Sequence, residues 1–130
     1  MDAYKRCLEV LREGDILGIA PEGTRSNHGR LQRAQPGVVM IALRSGAPIL
    51  PLAHWGSECF KDNIKKGKRT DFHIRVGKPF TITTNGEKVT SPLRQDIVNE
   101  IMGQVAALMP EKYHGEYSTR PEEQKYLEWA

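Results

Sequence analysis

The chain has 130 residues, 19 basic and 16 acidic, so its net charge is +3 and its length suits one domain with a genuine core. Two cysteines, Cys7 and Cys59, give neither a disulfide framework nor a metal-ligand spacing, and the longest apolar run, Val38 to Leu43, is far too short to cross a bilayer. A disulfide scaffold and a transmembrane helix within these residues are thereby excluded, and a reducing cytoplasm is the expected compartment.

In chain order, Tyr4, Cys7, Leu8 and Leu11 recur at helical spacing, and Gly14 ends that helix. Ile16 to Ala20 is an apolar run of strand length. It leads directly into Pro21-Glu22-Gly23-Thr24-Arg25-Ser26, which opens a stretch of thirty-five residues, from Gly23 to Ser57, without one acidic side chain. As an isolated tetrapeptide, Glu-Gly-Thr-Arg reads equally as a tight turn with a solvated Arg. After a strand and inside an acid-free zone it reads as an anion loop: Arg25 can fork onto two phosphate oxygens, and Gly23 lets backbone N–H groups approach the same oxygens.

Pro36 to Ser45 predicts a helix stopped by Gly46, and Ile49 to His54 predicts the next strand. A strand–helix–strand unit implies parallel strands, so the fold expected is α/β, a mixed and mainly parallel sheet with flanking helices. That topology also brings the His54-Trp55-Gly56 turn to the sheet edge that carries the loop. His54 is expected to be structural and Trp55 to pack.

Lys61 to Lys78 holds seven basic side chains against Asp62 and Asp71, a solvated face or a gathering surface for anions or anionic lipid. Asp71 to Lys78 alternates as a half-buried strand with His73 on its wet face. Ser91-Pro92 opens a helix whose Leu93, Ile97, Ile101, Val105 and Leu108 form a core stripe. Past Pro110 the composition turns polar, which predicts a domain over residues 1–109 and a loose tail over 110–130, with His114 in that tail and a last turn at Tyr126 to Trp129.

Pro-Glu-Gly-Thr-Arg-Ser after an apolar strand, then Gly29-Arg30-Leu31, Pro36-Gly37 and Gly46-Ala47-Pro48-Ile49-Leu50-Pro51-Leu52-Ala53, resembles the glycerol-phosphate and lysophosphatidate acyltransferase family from about Leu8 to Gly56. Tyr113-His114-Gly115-Glu116-Tyr117 resembles the way such chains finish. The resemblance implies that Glu22, Gly23, Thr24, Arg25 and Ser26 bind the phosphate of the acceptor, lysophosphatidate or glycerol 3-phosphate. It further implies acyl-CoA or acyl carrier protein as donor, no metal or cofactor, and a peripheral place on the cytoplasmic side of the membrane.

The family's catalytic His-x-x-x-x-Asp is absent: the residues five places before Asp15, Asp62, Asp71 and Asp96 are Val10, Ser57, Lys66 and Ser91. No catalytic residue is therefore assigned within the chain, which reads as the C-terminal part of such an acyltransferase domain. Membrane-lipid contact is expected through an N-terminal half outside it. The carboxylate of Glu22 is expected to hold Arg25 or an acceptor hydroxyl, since two anions repel. The alternative is a non-catalytic anion- or phospholipid-binding module; no nucleic-acid partner is expected, because only Phe60 and Phe72 accompany the charges.

Overall fold

The computed structural model describes residues 2–23, 29–119 and 124–129. Helix α1 spans Ala3–Arg12, with the Asp2 carboxylate accepting from the Lys5 N–H at 2.9 Å as its N-cap. Helix α2 spans Gly37–Ser45 and closes with the Gly46 N–H on the Ala42 carbonyl, 2.9 Å. Strand β1 (Leu52–Trp55), helix α3 (Phe60–Lys65), strands β2 (His73–Val76) and β3 (Phe80–Ile82), helix α4 (Ser91–Ala107) and strand β4 (Leu127–Trp129) follow. Thr90 caps α4 by accepting from the Leu93 N–H, and Pro92 sits in its first turn, where a missing N–H costs nothing.

Pairing departs from the expected parallel order. Strand β1 runs antiparallel to β2, with Leu52 opposite Val76 and His54 opposite Ile74, and β3 runs antiparallel to β4, with Phe80 opposite Trp129. Ile49 bridges antiparallel to Phe80. The mainly parallel sheet is therefore replaced by two antiparallel pairs. Residues 16–20 are irregular, and Ile16 is 96% exposed. An apolar run shows that a segment suits a strand; only a neighbour offering N–H and C=O groups makes it one, and among the described residues none pairs with it.

The core lies between α2, α4 and β3, where Val39, Phe80, Ile97, Val98 and Met102 are fully buried. The stripe read along α4 is in place: Leu93, Ile97 and Ile101 are buried, and Val105 and Leu108 pack against the same cluster. One face of the β1–β2 pair stays open, with Leu52, Ile74 and Val76 exposed.

The polar stretch after Pro110 is not loose where it is described. Tyr113, Tyr117, Tyr126 and Leu127 are buried in the core cluster, and residues 127–129 form a strand where a turn was expected. Buried Glu100 fixes this return, its Oε1 accepting from the Lys125 N–H at 2.7 Å and the Tyr126 N–H at 3.2 Å. His114 is buried too, with Nε2 3.0 Å from the Met109 carbonyl. A carbonyl oxygen only accepts, so Nε2 carries the proton and the ring is a structural donor.

Candidate functional site: a braced loop

Of the five residues expected to bind the acceptor, Glu22 and Gly23 are described, and Thr24, Arg25 and Ser26 lie outside the described residues. Both limbs leading to that segment are held. The Gly23 N–H donates to the Ala20 carbonyl at 3.0 Å in a turn where Gly23 takes φ of +73°, a value that favours glycine. The Gln35 N–H donates to the Pro21 carbonyl at 2.8 Å, and the Gln32 N–H donates to Glu22 Oε2 at 2.7 Å. One oxygen of the Glu22 carboxylate thus accepts from the loop's own return limb, ten residues on. A charge-assisted bond of this length fixes the loop's width.

The return limb is held a second time by the C-terminal segment. The Leu31 N–H donates to the Tyr113 carbonyl at 2.9 Å, and the Leu31 carbonyl accepts from the Glu116 N–H at 3.2 Å. The Tyr117 hydroxyl accepts from the Ala34 N–H at 2.9 Å, across 83 residues of sequence. Gly115 makes this approach possible: a Cβ there would stand 2.1 Å from the Leu31 carbonyl oxygen, and its φ is +52°. Leu31 and Ala34 are themselves buried, so the limb is part of the core.

A third brace comes from the turn after β1. At Gly29 a Cβ would meet the Glu58 carboxyl carbon at 3.1 Å, which places the start of the return limb beside Glu58, although not through the parallel sheet edge that was expected. Glu58 Oε2 accepts from the Gly56 N–H at 3.1 Å, and Oε1 accepts from the Tyr113 hydroxyl at 2.5 Å. That short bond is the main reason the Tyr113 phenol is pushed up to about 12, with burial adding to it. The same bond is the main cause holding the Glu58 carboxyl below its ordinary value.

His54 is exposed beside the half-buried Trp55, which packs on the core and stacks on His73 with ring centroids 5.3 Å apart. Among the described residues no group of three or more His, Cys, Asp or Glu gathers as a metal site. Sequence reasoning missed Glu58, Tyr113 and Tyr117 as braces. The one signal available was the closing Tyr113 to Tyr117 motif, which carries two large aromatic residues into a stretch otherwise polar enough to read as tail.

The Glu58–Tyr113 bond gives a pH signature. A raised tyrosine contributes stability that is complete below pH 10 and is lost as pH rises through its folded value near 12. A lowered carboxylate contributes stability that is present above its ordinary value and is lost as pH falls through its folded one. In an ultraviolet difference titration of wild type against Tyr113→Phe, the missing phenolate step is expected near pH 12. Glu58→Gln is expected to bring that step back toward 10, and a Tyr113 step already near 10 in wild type would contradict the bond.

The geometry defines a glycine-bearing turn whose two limbs, residues 20–23 and 29–35, are pinned to the core. Residues 1–55 match the family described as Acyltransferase. The chain is 39% identical over 81 residues to 1-acyl-sn-glycerol-3-phosphate acyltransferase BAT2, chloroplastic, of Brassica napus, covering 61% of this chain and 24% of that protein. It is 38% identical over 78 residues to the 1-acyl-sn-glycerol-3-phosphate acyltransferase of Bacillus subtilis, covering 59% and 36%. The crystal structure of the 1-acyl-sn-glycerophosphate acyltransferase PlsC from Thermotoga maritima superposes with a TM-score of 0.58 at 27% identity, over 83% of this chain and 44% of that one. The chain is similar to these acyltransferases and spans less than half the length of each.

Proposed function

We propose that this chain supplies the acceptor-binding part of a lysophosphatidate acyltransferase of phospholipid synthesis. The observation that carries the reading is the Glu22 to Gln32 closure at the base of the Glu-Gly-Thr-Arg motif, backed by kinship to proteins named for 1-acylglycerol 3-phosphate. With one Glu22 oxygen engaged by the frame, phosphate recognition falls to Gly23, Thr24, Arg25 and Ser26, Arg25 forking onto two oxygens.

In the reaction proposed, an imidazole from a His-x-x-x-x-Asp element outside these 130 residues takes the proton of the acceptor hydroxyl. The hydroxyl oxygen attacks the thioester carbonyl of acyl-CoA or acyl carrier protein, the carbon–sulfur bond breaks, and the proton passes on to the departing sulfur. The frame's part is to hold the acceptor at its phosphate end while the other end reacts, so its contribution is orientation. The cytoplasmic face of a membrane is the place proposed for this work, an amphiphilic acceptor supporting the membrane surface.

The test is acyl transfer to lysophosphatidate from either donor. The chain alone is expected to retain the acceptor without acylating it, since binding supplies no base for the hydroxyl proton. Transfer is expected once an upstream half bearing His-x-x-x-x-Asp is joined or co-expressed. Turnover by the chain alone that disappears in His54→Ala would overturn the assignment.

A further inference from the structure

Between the Gly56–Glu58 turn and β2 the chain makes a short helical excursion that the acceptor site does not use. In α3, Phe60 and Ile64 lie four residues apart and so share a face, and the Phe72 ring returns to Phe60 with centroids 6.4 Å apart. All three are open to solvent, at 47%, 61% and 58% exposure. Lys61, Lys65, Lys66, Lys68 and Arg69 are exposed around them, with Asp62 and Asp71 the acidic side chains of the segment.

The excursion has a fixed shape. The Lys68 N–H donates to the Asn63 carbonyl at 2.7 Å, the Gly67 N–H to the Ile64 carbonyl at 3.2 Å, and the Asn63 side-chain amide to the Thr70 hydroxyl at 3.2 Å. Leaving two phenyl rings and an isoleucine in water forgoes the free energy of burying them, and a backbone held this firmly keeps them there beside the ammonium groups. A surface with apolar side chains at its centre and long cationic ones around it matches one environment closely, the boundary between anionic headgroups and acyl chains. There the rings and the isoleucine enter the hydrocarbon edge while the lysine stems lie along it and their charges reach phosphate.

The geometry points to α3 and residues 66–72 as a docking surface for an anionic lipid bilayer. This surface is part of the 130 residues themselves and is independent of how the acceptor loop works. Charge complementarity selects the occupant. Nucleic acid would meet the charges, but Phe60 and Phe72 are tilted against each other, with Ile64 beside them, and offer no open stacking platform.

The experiment is flotation of the gel-filtered chain with phosphatidylcholine vesicles, with or without phosphatidylglycerol, at low and high salt. Binding is expected only with phosphatidylglycerol and should weaken in high salt. Lys65→Gln and Lys66→Gln should each lower affinity about fivefold, and the double variant Phe60→Ala, Ile64→Ala about tenfold or more. Ile74→Ser, on the open face of the β1–β2 pair, should leave binding intact. The proposal is overturned by no flotation, by equal flotation on phosphatidylcholine alone, by dependence on Ile74 instead of Phe60 and Ile64, or by single-stranded oligonucleotide outcompeting the vesicles.

Discussion

Arg25→Ala is expected to remove measurable binding of glycerol 3-phosphate and of lysophosphatidate. The limbs on either side of residues 24–28 are pinned through Glu22, Pro21 and Leu31, so the ends of the motif are set by the fold before any ligand arrives. What remains for the ligand is its charge, and Arg25 is the cationic side chain of the motif. Truncating one partner of a charged, hydrogen-bonded pair costs about 2–5 kcal/mol, or between about thirtyfold and several thousandfold in affinity. Arg25→Lys should keep part of this, because an ammonium supplies charge without the planar fork. Equal calorimetric affinities for wild type and Arg25→Ala would remove Arg25 as the phosphate anchor.

Gly115→Ala is expected to be the most damaging single methyl in the described structure. Its Cβ would stand 2.1 Å from the Leu31 carbonyl oxygen, at a φ of +52° that disfavours any side chain. Neither partner has room to yield: Leu31 is held by Tyr113 on its N–H and by Glu116 on its carbonyl, and its side chain is buried. The combined loss of these bonds and the backbone strain should cost about 3–5 kcal/mol, a large share of a small domain's stability. Thermal melts of the variant should show it, and acceptor affinity should fall in the fraction that stays folded because the return limb has moved. A variant that melts with wild type would mean the limb is not clamped where the structure puts it.

Helices α1, α2 and α4 were legible because their signals are local: a 3.6-residue apolar period, Pro near an opening turn, Gly at a close. The Glu-Gly-Thr-Arg motif is read from local signals too, and its Thr24, Arg25 and Ser26 lie outside the described residues; the turn after β1 does lie beside Gly29, but the parallel pairing from which a shared edge was argued is not formed. Strand partners were not legible, since Ile16 to Ala20 and Leu52 to Trp55 carry equally apolar sequences and differ only in what lies beside them. The bracing residues were hidden more deeply. Glu22 was expected from the family resemblance to bind the acceptor, with its carboxylate on Arg25 or an acceptor hydroxyl; one of its oxygens accepts from the Gln32 N–H, a backbone group that no side-chain pattern reveals. His114 was read as part of a polar tail and Glu100 carried no signal at all, yet each is buried because it answers backbone groups, the Met109 carbonyl for His114 and the Lys125 and Tyr126 N–H groups for Glu100.

The bond from Ala34 to the Tyr117 hydroxyl also sets an order of events during synthesis. The motif leaves the ribosome before residues 113–117, and its return limb has no second anchor until they have followed. Closing so long a segment is slow compared with forming helices such as α1 and α2. The nascent chain therefore carries the Glu-Gly-Thr-Arg sequence without its full frame until Tyr117, 83 residues after Ala34, has emerged, and acceptor affinity should be complete only then.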